Sequence, residues 1–182
     1  NALGGHQYFS VGFVGSTMVD LLLDTGAGCN SVSEEFVVGL INDSRKKGIS
    51  PSSRDYPIVQ LERFAYPEVV HGLEANNPIP LRGAVVFKLW FGEGLSKNQL
   101  KPEKMVLVRA KVLGSGHSAH RGIILGGRAL DCEEQGGLGM VTLPHSYRLE
   151  ALGIQIPRLE DAIPYTLGDK AYRAAFDKNY YP

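Results

Sequence analysis

A carboxylate directly follows an apolar run near the start of the chain. Three leucines precede Asp24, Thr25 and Gly26. Because such a run predicts a strand buried on both faces, Asp24 is placed where ionisation is costly unless a neighbour shares its proton or charge. Thr25 adds a hydroxyl that both donates and accepts, and Gly26 leaves room for a second backbone or a substrate. The combination is suited to catalysis, although a plain Asp-Thr-Gly turn has the same composition.

A second apolar run with glycine occurs far along the chain. Residues 123–125 (Ile-Ile-Leu) predict another buried strand, which Gly126 and Gly127 interrupt before a short helix. Two apolar residues and a glycine, after an Asp-Thr-Gly strand, resemble the paired signature of the retropepsin family, the aspartic proteases of retroviruses and retrotransposons. The resemblance covers residues 8–143, and residues 123–130 are most similar to the gypsy-type retrotransposon form.

The resemblance implies an all-β fold. We expect a closed barrel of six to eight strands with a flap hairpin, one or two short helices and a C-terminal extension. The retropepsin-like domain would occupy residues 1–143, and an extension or linker would occupy 144–182. Residues 8–20 resemble the family's leading hairpin, 31–33 its return strand, 75–89 its flap and the following strand, and 140–143 its final strand.

The resemblance makes Asp24 the catalytic residue of an aspartic endopeptidase. Asp-Thr-Gly occurs once in the chain, whereas this chemistry needs two carboxylates, one protonated and one charged. We therefore expect Asp24 to meet its own symmetry mate in a homodimer, where the pair shares a proton and titrates as a unit. Thr25 hydroxyls would hydrogen-bond across the dimer and Gly26 would support the dyad. No metal or organic cofactor is expected.

The resemblance also implies that an extended peptide or polyprotein segment is the substrate. Alternation along the strand places Leu22 on the same face as Asp24, which makes Leu22 a candidate pocket wall, with plain core as an equal alternative. By resemblance, Ile123 would line a pocket as well. Backbone groups for the substrate would come from Gly26, Ala27 and Gly28.

A flap is expected to close over the substrate. By resemblance it lies in residues 74–80, and we place its tip at Asn76 and Asn77, because asparagine tolerates positive φ. Pro78 and Pro80 lack an amide hydrogen and depart from the expected flap, which works by offering backbone donors and acceptors.

Two further departures concern charge and dimer contacts. Retroviral members carry an acid at the position of Gly28 and an arginine at that of Gly127, so both ends of this ion pair are missing together. Only seven residues precede Tyr8, whereas retroviral dimers use a longer N-terminal strand. The dimer would then rely on residues 140–143 and the tail, or be weak.

Composition narrows the class of protein. With 182 residues, 43% hydrophobic and 21% charged, the sequence predicts one soluble globular domain of ordinary size. Nineteen basic and nineteen acidic residues balance, so we expect no nucleic-acid partner. The sequence contains neither a membrane-length apolar run nor a signal peptide, so we expect no membrane association and a cytoplasmic location, free or inside a virus-like particle. The start at Asn1 predicts a fragment or a processed product.

Cysteine and histidine give no sign of a metal or a disulfide framework. Cys29 and Cys132 are too few for such a framework and fit a reducing compartment. His117 and His120 have a spacing that a metal could use, but no cysteine or carboxylate cluster accompanies them. We interpret both as solvated loop residues.

The elements that would hold these residues follow from local patterns. Helical spacing and a cap at Ser33 predict a helix at 34–41, followed by a surface loop at 42–56. β-branched and aromatic residues predict strands at 58–61, 69–73, 83–92 and 105–113, with polar loops at 93–104 and 114–122. Beyond 143, Gly153 indicates the end of a short helix at 146–152, and another helix is expected at 167–179.

Three functions fit these observations. The first is a dimeric aspartic endopeptidase that processes a retrotransposon polyprotein. The second is a cellular retropepsin-like protease, of the kind found in ubiquitin-shuttle proteins or in skin, which ubiquitin-like flanking domains would favour. The third is a retropepsin-like fold kept as a dimerisation or binding module without turnover.

Overall fold

Strands dominate the structure, a computed structural model that describes residues 7–15, 17–71, 78–92, 101–114, 122–131, 134 and 136–159. The described helices are α1 (Glu34–Lys46) and the short α2 (Gly127–Leu130), with a 3-10 turn at Pro102–Lys104. The strands are β1 (Gln7–Val14), β2 (Thr17–Asp24), β3 (Ser31–Ser33), β4 (Ile58–His71), β5 (Pro78–Phe91), β6 (Val106–Leu113), β7 (Ile123–Leu125), β8 (Met140–Thr142), β9 (Ser146–Leu149) and β10 (Ile154–Pro157).

Six strands close into a barrel in the order β1-β2-β7-β3-β6-β5, because β1 pairs with both β2 and β5. β4 extends the sheet beyond β5. Most neighbouring strands are antiparallel, whereas β2 with β7 and β3 with β6 are parallel. The predicted all-β fold, a closed barrel with few short helices, is confirmed.

The barrel core explains why the leucine run folds as a strand. All residues of β2 from Thr17 to Leu23 are buried, as the run predicts. Leu21 and Leu23 share a core with Phe87 of β5, and α1 covers this core with Phe36, whose ring centre lies 6.5 Å from that of Phe87. Each such buried side chain contributes roughly 1.5–3 kcal/mol relative to exposure.

A separate sheet, β8-β9-β10, packs against β1. Its buried residues, among them Tyr147, belong to the same core as the barrel. The Tyr147 and Tyr8 ring centres are 5.4 Å apart, and the Arg158 guanidinium lies 5.4 Å from the Tyr8 ring centre. Residues 144–159 of the expected extension therefore pack on the barrel, while the division at residue 143 stays a prediction.

Helix α1 is five residues longer than predicted. It begins after Ser33, whose Oγ accepts a hydrogen bond from Phe36 N at 3.0 Å, and it continues to Lys46. The surface loop predicted for 42–56 is therefore wrong at 42–46. The last turn is stabilised from outside the helix, because Asp43 Oδ2 accepts from Thr17 Oγ1 at 2.6 Å and from Lys47 Nζ at 2.8 Å.

The helix predicted for residues 146–152 is wrong. Residues 146–149 form β9, in which Tyr147 and Leu149 are buried, and this two-residue alternation is typical of a strand. Gly153 has φ of 62°, but it lies in the turn between β9 and β10 rather than at a helix end. Residues 58–61 and 69–71 lie in one strand, β4, whose pairing with β5 is irregular between Ile58 and Gln60 and between Arg63 and Glu68.

Some predictions fall outside the described residues, and the structure does not test them. They concern Cys132, His117, His120 and the helix at 167–179. Within the described part of the chain, neither helix is long and apolar enough to cross a membrane.

Candidate active site

Asp24 is the last residue of β2, at the point where this buried strand reaches the end of the barrel. Its side chain is partly exposed, unlike the leucines before it. Gly26 N donates to Asp24 Oδ1 at 3.0 Å, and Ala27 N donates to the Asp24 carbonyl at 3.1 Å. The carboxylate is thus oriented by the turn that follows it, and part of it is accessible.

The structure brings the two apolar motifs of the sequence together. β2 and β7 are parallel neighbours, with Leu22 beside Ile124 and Leu23 beside Leu125. Because parallel strands end at the same edge of a sheet, the Asp24 turn and the glycines after β7 lie next to each other. The barrel thereby places residues 24–30 against residues 126–127.

Gly126 and Gly127 pack against the backbone of the Asp24 turn. Gly127 N donates to the Ala27 carbonyl at 2.9 Å. A methyl group on Gly126 would lie 2.8 Å from the Cys29 carbonyl oxygen, and one on Gly127 would lie 2.6 Å from that of Thr25. Both glycines are needed because another backbone occupies the space of a side chain.

Asn30, which no sequence motif indicated, also joins these segments. Its Oδ1 accepts from Gly126 N at 2.9 Å, and its Nδ2 donates to the Arg109 carbonyl at 3.1 Å. Its own carbonyl accepts from Lys111 N at 2.9 Å. A local sequence pattern cannot reveal such partners, because they lie on β6 and after β7.

The predicted substrate-binding residues differ in their exposure. Leu22 is 7% exposed and does not belong to the main core cluster, and its neighbour Ile124 is partly exposed. Ile123, the predicted pocket residue, is fully buried within that cluster. Ile124 is therefore the isoleucine of β7 that faces the surface beside Leu22, and alternation along β7 could have indicated it.

The remaining predicted residues lie on the turn or beyond the described chain. Thr25, Gly26 and Gly28 are exposed and Ala27 is partly exposed, so their backbone groups are accessible at this end of the barrel. The predicted flap tip, Asn76 and Asn77, lies outside the described residues. The roles of all these residues in catalysis and substrate binding stay predictions.

Among the residues that the structure describes, no group of three or more histidine, cysteine, aspartate or glutamate side chains is placed to hold a metal ion. Cys29, on the Asp24 turn, is a free and partly exposed thiol.

Among the solved structures that are similar to this chain are the two given below. No protein-family model and no curated protein sequence matches the chain. The retroviral protease-like domain of Ddi1 from Leishmania major is 13% identical, with a TM-score of 0.47 over 85% of this chain and 96% of that one. A retropepsin-like aspartic protease from Rickettsia conorii is 14% identical, with a TM-score of 0.34 over 68% of this chain and 78% of that one.

Proposed function

We propose that this chain is an aspartic endopeptidase, active as a homodimer, which hydrolyses peptide bonds with water at a pair of Asp24 carboxyls. One observation carries the proposal. Asp24 ends a strand buried between β1 and β7, and its accessible carboxylate is held by Gly26 N at 3.0 Å in a turn backed by two glycines. A carboxylate so constrained is preorganised to act on a bound molecule.

The homodimer follows from the number of carboxylates that the reaction needs. One carboxyl must hold a proton while its neighbour does not. The chain has one Asp-Thr-Gly, so the second carboxyl comes from a second copy, related by a twofold axis. Thr25 on the exposed turn is available for hydrogen bonds to the partner.

The reaction conserves one proton on the Asp24 pair. The charged carboxylate takes a proton from a water between the two groups, and the water oxygen attacks the peptide carbonyl carbon. The protonated carboxyl gives its proton to the carbonyl oxygen. When the tetrahedral intermediate collapses, the C–N bond breaks and the amine nitrogen receives a proton from one carboxyl. A hydroxyl of the intermediate returns a proton to the other carboxyl.

The proposed substrate is an extended polypeptide with apolar side chains near the cleaved bond. The exposed backbone of Gly26 and Gly28 offers hydrogen-bonding groups to such a chain. Leu22 and Ile124, adjacent on β2 and β7, supply an apolar surface without ionisable groups. A retrotransposon polyprotein of the gypsy type is the source that we propose, on the resemblance of residues 123–130.

Replacement of Asp24 by Asn tests the function directly. The natural chain should cut a peptide library, fastest on the acid side of neutrality, and a statine-type transition-state mimic should block it. Because general acid–base catalysis contributes about 10²- to 10⁴-fold, Asp24→Asn should lower kcat by at least that factor without changing the unfolding midpoint. Asp55→Asn, the same change in an exposed loop, is the control and should leave activity intact.

Dilution and mixing test the dimer. Sedimentation should show a monomer–dimer equilibrium, and specific activity should fall as the dimer dissociates. Excess Asp24→Asn chain should inhibit the natural chain by forming mixed dimers. A monomer that cleaves peptides at every dilution would contradict the proposal, and a dimer without activity in either form would favour the binding module.

A further inference from the structure

Asn30 connects the Asp24 turn to two other parts of the barrel. We infer that Asn30 is a positioning residue: its amide holds the turn that carries Asp24 against Gly126 and β6, and thereby sets the turnover and the pH profile of the site. This inference rests on the proposed function of Asp24.

The side-chain amide of Asn30 continues the hydrogen bonding between β3 and β7 beyond their last backbone pair. β3 and β7 pair in an antiparallel ladder that ends at Ser31 beside Ile124. Beyond this pair the Asn30 side chain takes over, since Oδ1 accepts from Gly126 N at 2.9 Å. This hydrogen bond therefore connects the residue before β3 to Gly126, next to the Asp24 turn.

The other half of the amide fixes the side chain itself. Nδ2 donates to the Arg109 carbonyl at 3.1 Å, and the Asn30 carbonyl accepts from Lys111 N at 2.9 Å. The backbone N–H of Gly126 can only donate and the Arg109 carbonyl can only accept, so the orientation of the amide follows from its partners. Asparagine suits this place because one planar group supplies an acceptor and a donor.

The Asp24 turn has few other connections to the segment after β7. Its own hydrogen bonds, from Gly26 N and Ala27 N, are local to the turn. Among the described residues, the bond from Gly127 N to the Ala27 carbonyl is the other hydrogen bond between residues 24–30 and residues 126–127. Without the amide, one hydrogen bond would join the turn to this segment, and the turn could shift against the glycines that pack on it.

Such a shift matters because two carboxyls that share a proton lie only about 3 Å apart in dyads of this kind. A misplacement of about 1 Å can lower the rate by about 10²-fold. It also changes the coupling between the carboxyls, and hence the pH dependence of the rate. A residue that served only the stability of the fold would change neither quantity per folded molecule.

Two substitutions at Asn30 distinguish the roles of its donor and acceptor. Asn30→Leu keeps the approximate shape and removes both hydrogen bonds. Asn30→Asp keeps the acceptor for Gly126 N, but its charged form places an oxygen without a proton against the Arg109 carbonyl. When protonated, the new carboxyl supplies both a donor and an acceptor, so it can replace the amide. Asn42→Leu, on the exposed side of α1, is the matched control.

The experiment measures kcat, KM and the pH profile, normalised to active sites by titration with a tight-binding inhibitor. Asn30→Leu should lower kcat by about ten- to 100-fold at every pH, with KM within about threefold, since misplacement reduces the rate by up to about that factor. The activity of Asn30→Asp relative to the natural chain should rise as the pH falls through about 4, the ordinary range for aspartate. Asn42→Leu should match the natural chain.

A second measurement separates this inference from the proposed function. In the Asp24→Asn background, amide hydrogen exchange at Gly126 should become at least tenfold faster on adding Asn30→Leu, whereas Lys111, bonded to the backbone of residue 30, should stay protected. Unchanged exchange at Gly126 overturns the inference whether or not the chain is a protease. If the natural chain cuts peptides and Asn30→Leu retains its kcat and pH profile, the inference is wrong and the function stands.

Discussion

Gly126 lies so close to Cys29 that a methyl group added to it would be 2.8 Å from the Cys29 carbonyl oxygen and 2.9 Å from that of Ala27. Both contacts are with backbone, which cannot rotate away as a side chain can. A single methyl group on Gly126 should therefore lower the stability of the fold.

Gly126→Ala should destabilise the protein by about 1–3 kcal/mol, the usual range for overpacking. In thermal unfolding, the midpoint should fall by about 2–4 °C for each kcal/mol of lost stability in a chain of this size. Gly28→Ala provides the comparison, since nothing lies within 4 Å of its added methyl group, and its midpoint should not fall. Equal midpoints for the two variants would contradict the backbone packing described for Gly126.

Asp43 links the β1–β2 hairpin to helix α1, and its contribution to stability should depend on pH. Burial by itself would raise the pKa of Asp43, but hydrogen bonds from Lys47 and Thr17 outweigh it and hold this pKa below its ordinary value. A lowered pKa in the folded state means that the charged form stabilises the fold above about pH 4. That stabilisation is lost as the pH falls through the folded-state pKa.

Asp43→Asn should therefore destabilise the fold at pH 7 by about 1.5–3 kcal/mol, the usual contribution of hydrogen bonds to a charged group. The difference from the natural chain should shrink as the pH is lowered below about 4, the unfolded value. Urea unfolding at pH 7 and pH 3 measures both differences, with Asp55→Asn as a control that should change little at either pH. The same deficit at both pH values would show that charge on Asp43 is not involved.

Ser10 is a buried polar residue whose removal should help the fold. It is 1% exposed, and within the described part of the chain its Oγ has no hydrogen-bond partner. Since an unpartnered buried hydroxyl opposes folding, Ser10→Ala should be neutral or stabilise by up to about 1 kcal/mol. Ser33→Ala should do the opposite by about 1 kcal/mol, because Ser33 Oγ caps α1 through Phe36 N. Equilibrium unfolding of both variants checks the predicted difference in sign.

Substitution of Ile123 and of Ile124 should have different effects, because the first residue lies in the core and the second on the proposed substrate surface. Ile123 is fully buried, so Ile123→Ala should lower stability by about 2–5 kcal/mol. Ile124 is partly exposed beside Leu22, so Ile124→Ala should lower stability less and instead raise KM for substrates with large apolar side chains. Equilibrium unfolding measures the stability of both variants, and steady-state kinetics measures their KM. A KM unchanged by Ile124→Ala would remove this residue from the proposed substrate surface.

The fold could be predicted where local pattern and tertiary context agree. The leucines before Asp24 are buried on both faces of a strand, as expected, and the cap at Ser33 marks the start of α1. The error at residues 146–149 arose because Gly153 fits a helix end and a hairpin turn equally well, whereas the alternation of Tyr147 and Leu149 favoured a strand. α1 continues past residue 41, where Asp43 accepts a hydrogen bond from Thr17, a long-range contact that sequence spacing cannot reveal.

The candidate site was predictable only in part, because some of its residues depend on long-range contacts. Asp24 and its turn follow from a local motif, and the second motif is recognisable by its glycines. The neighbours of Ile124 and the partners of Asn30 depend on which strands the barrel places side by side. Residues that act through such long-range contacts leave no periodic signal in the sequence.

Asn30 and Gly126 are 96 positions apart in the chain. During synthesis, the Asp24 turn therefore emerges from the ribosome well before Gly126 has been made. Contacts between such distant residues form late, because closing a long loop of chain costs entropy. If Asp24 cleaves peptides as proposed, cleavage should begin only after residues 126–127 have emerged and the barrel has closed around the Asp24 turn.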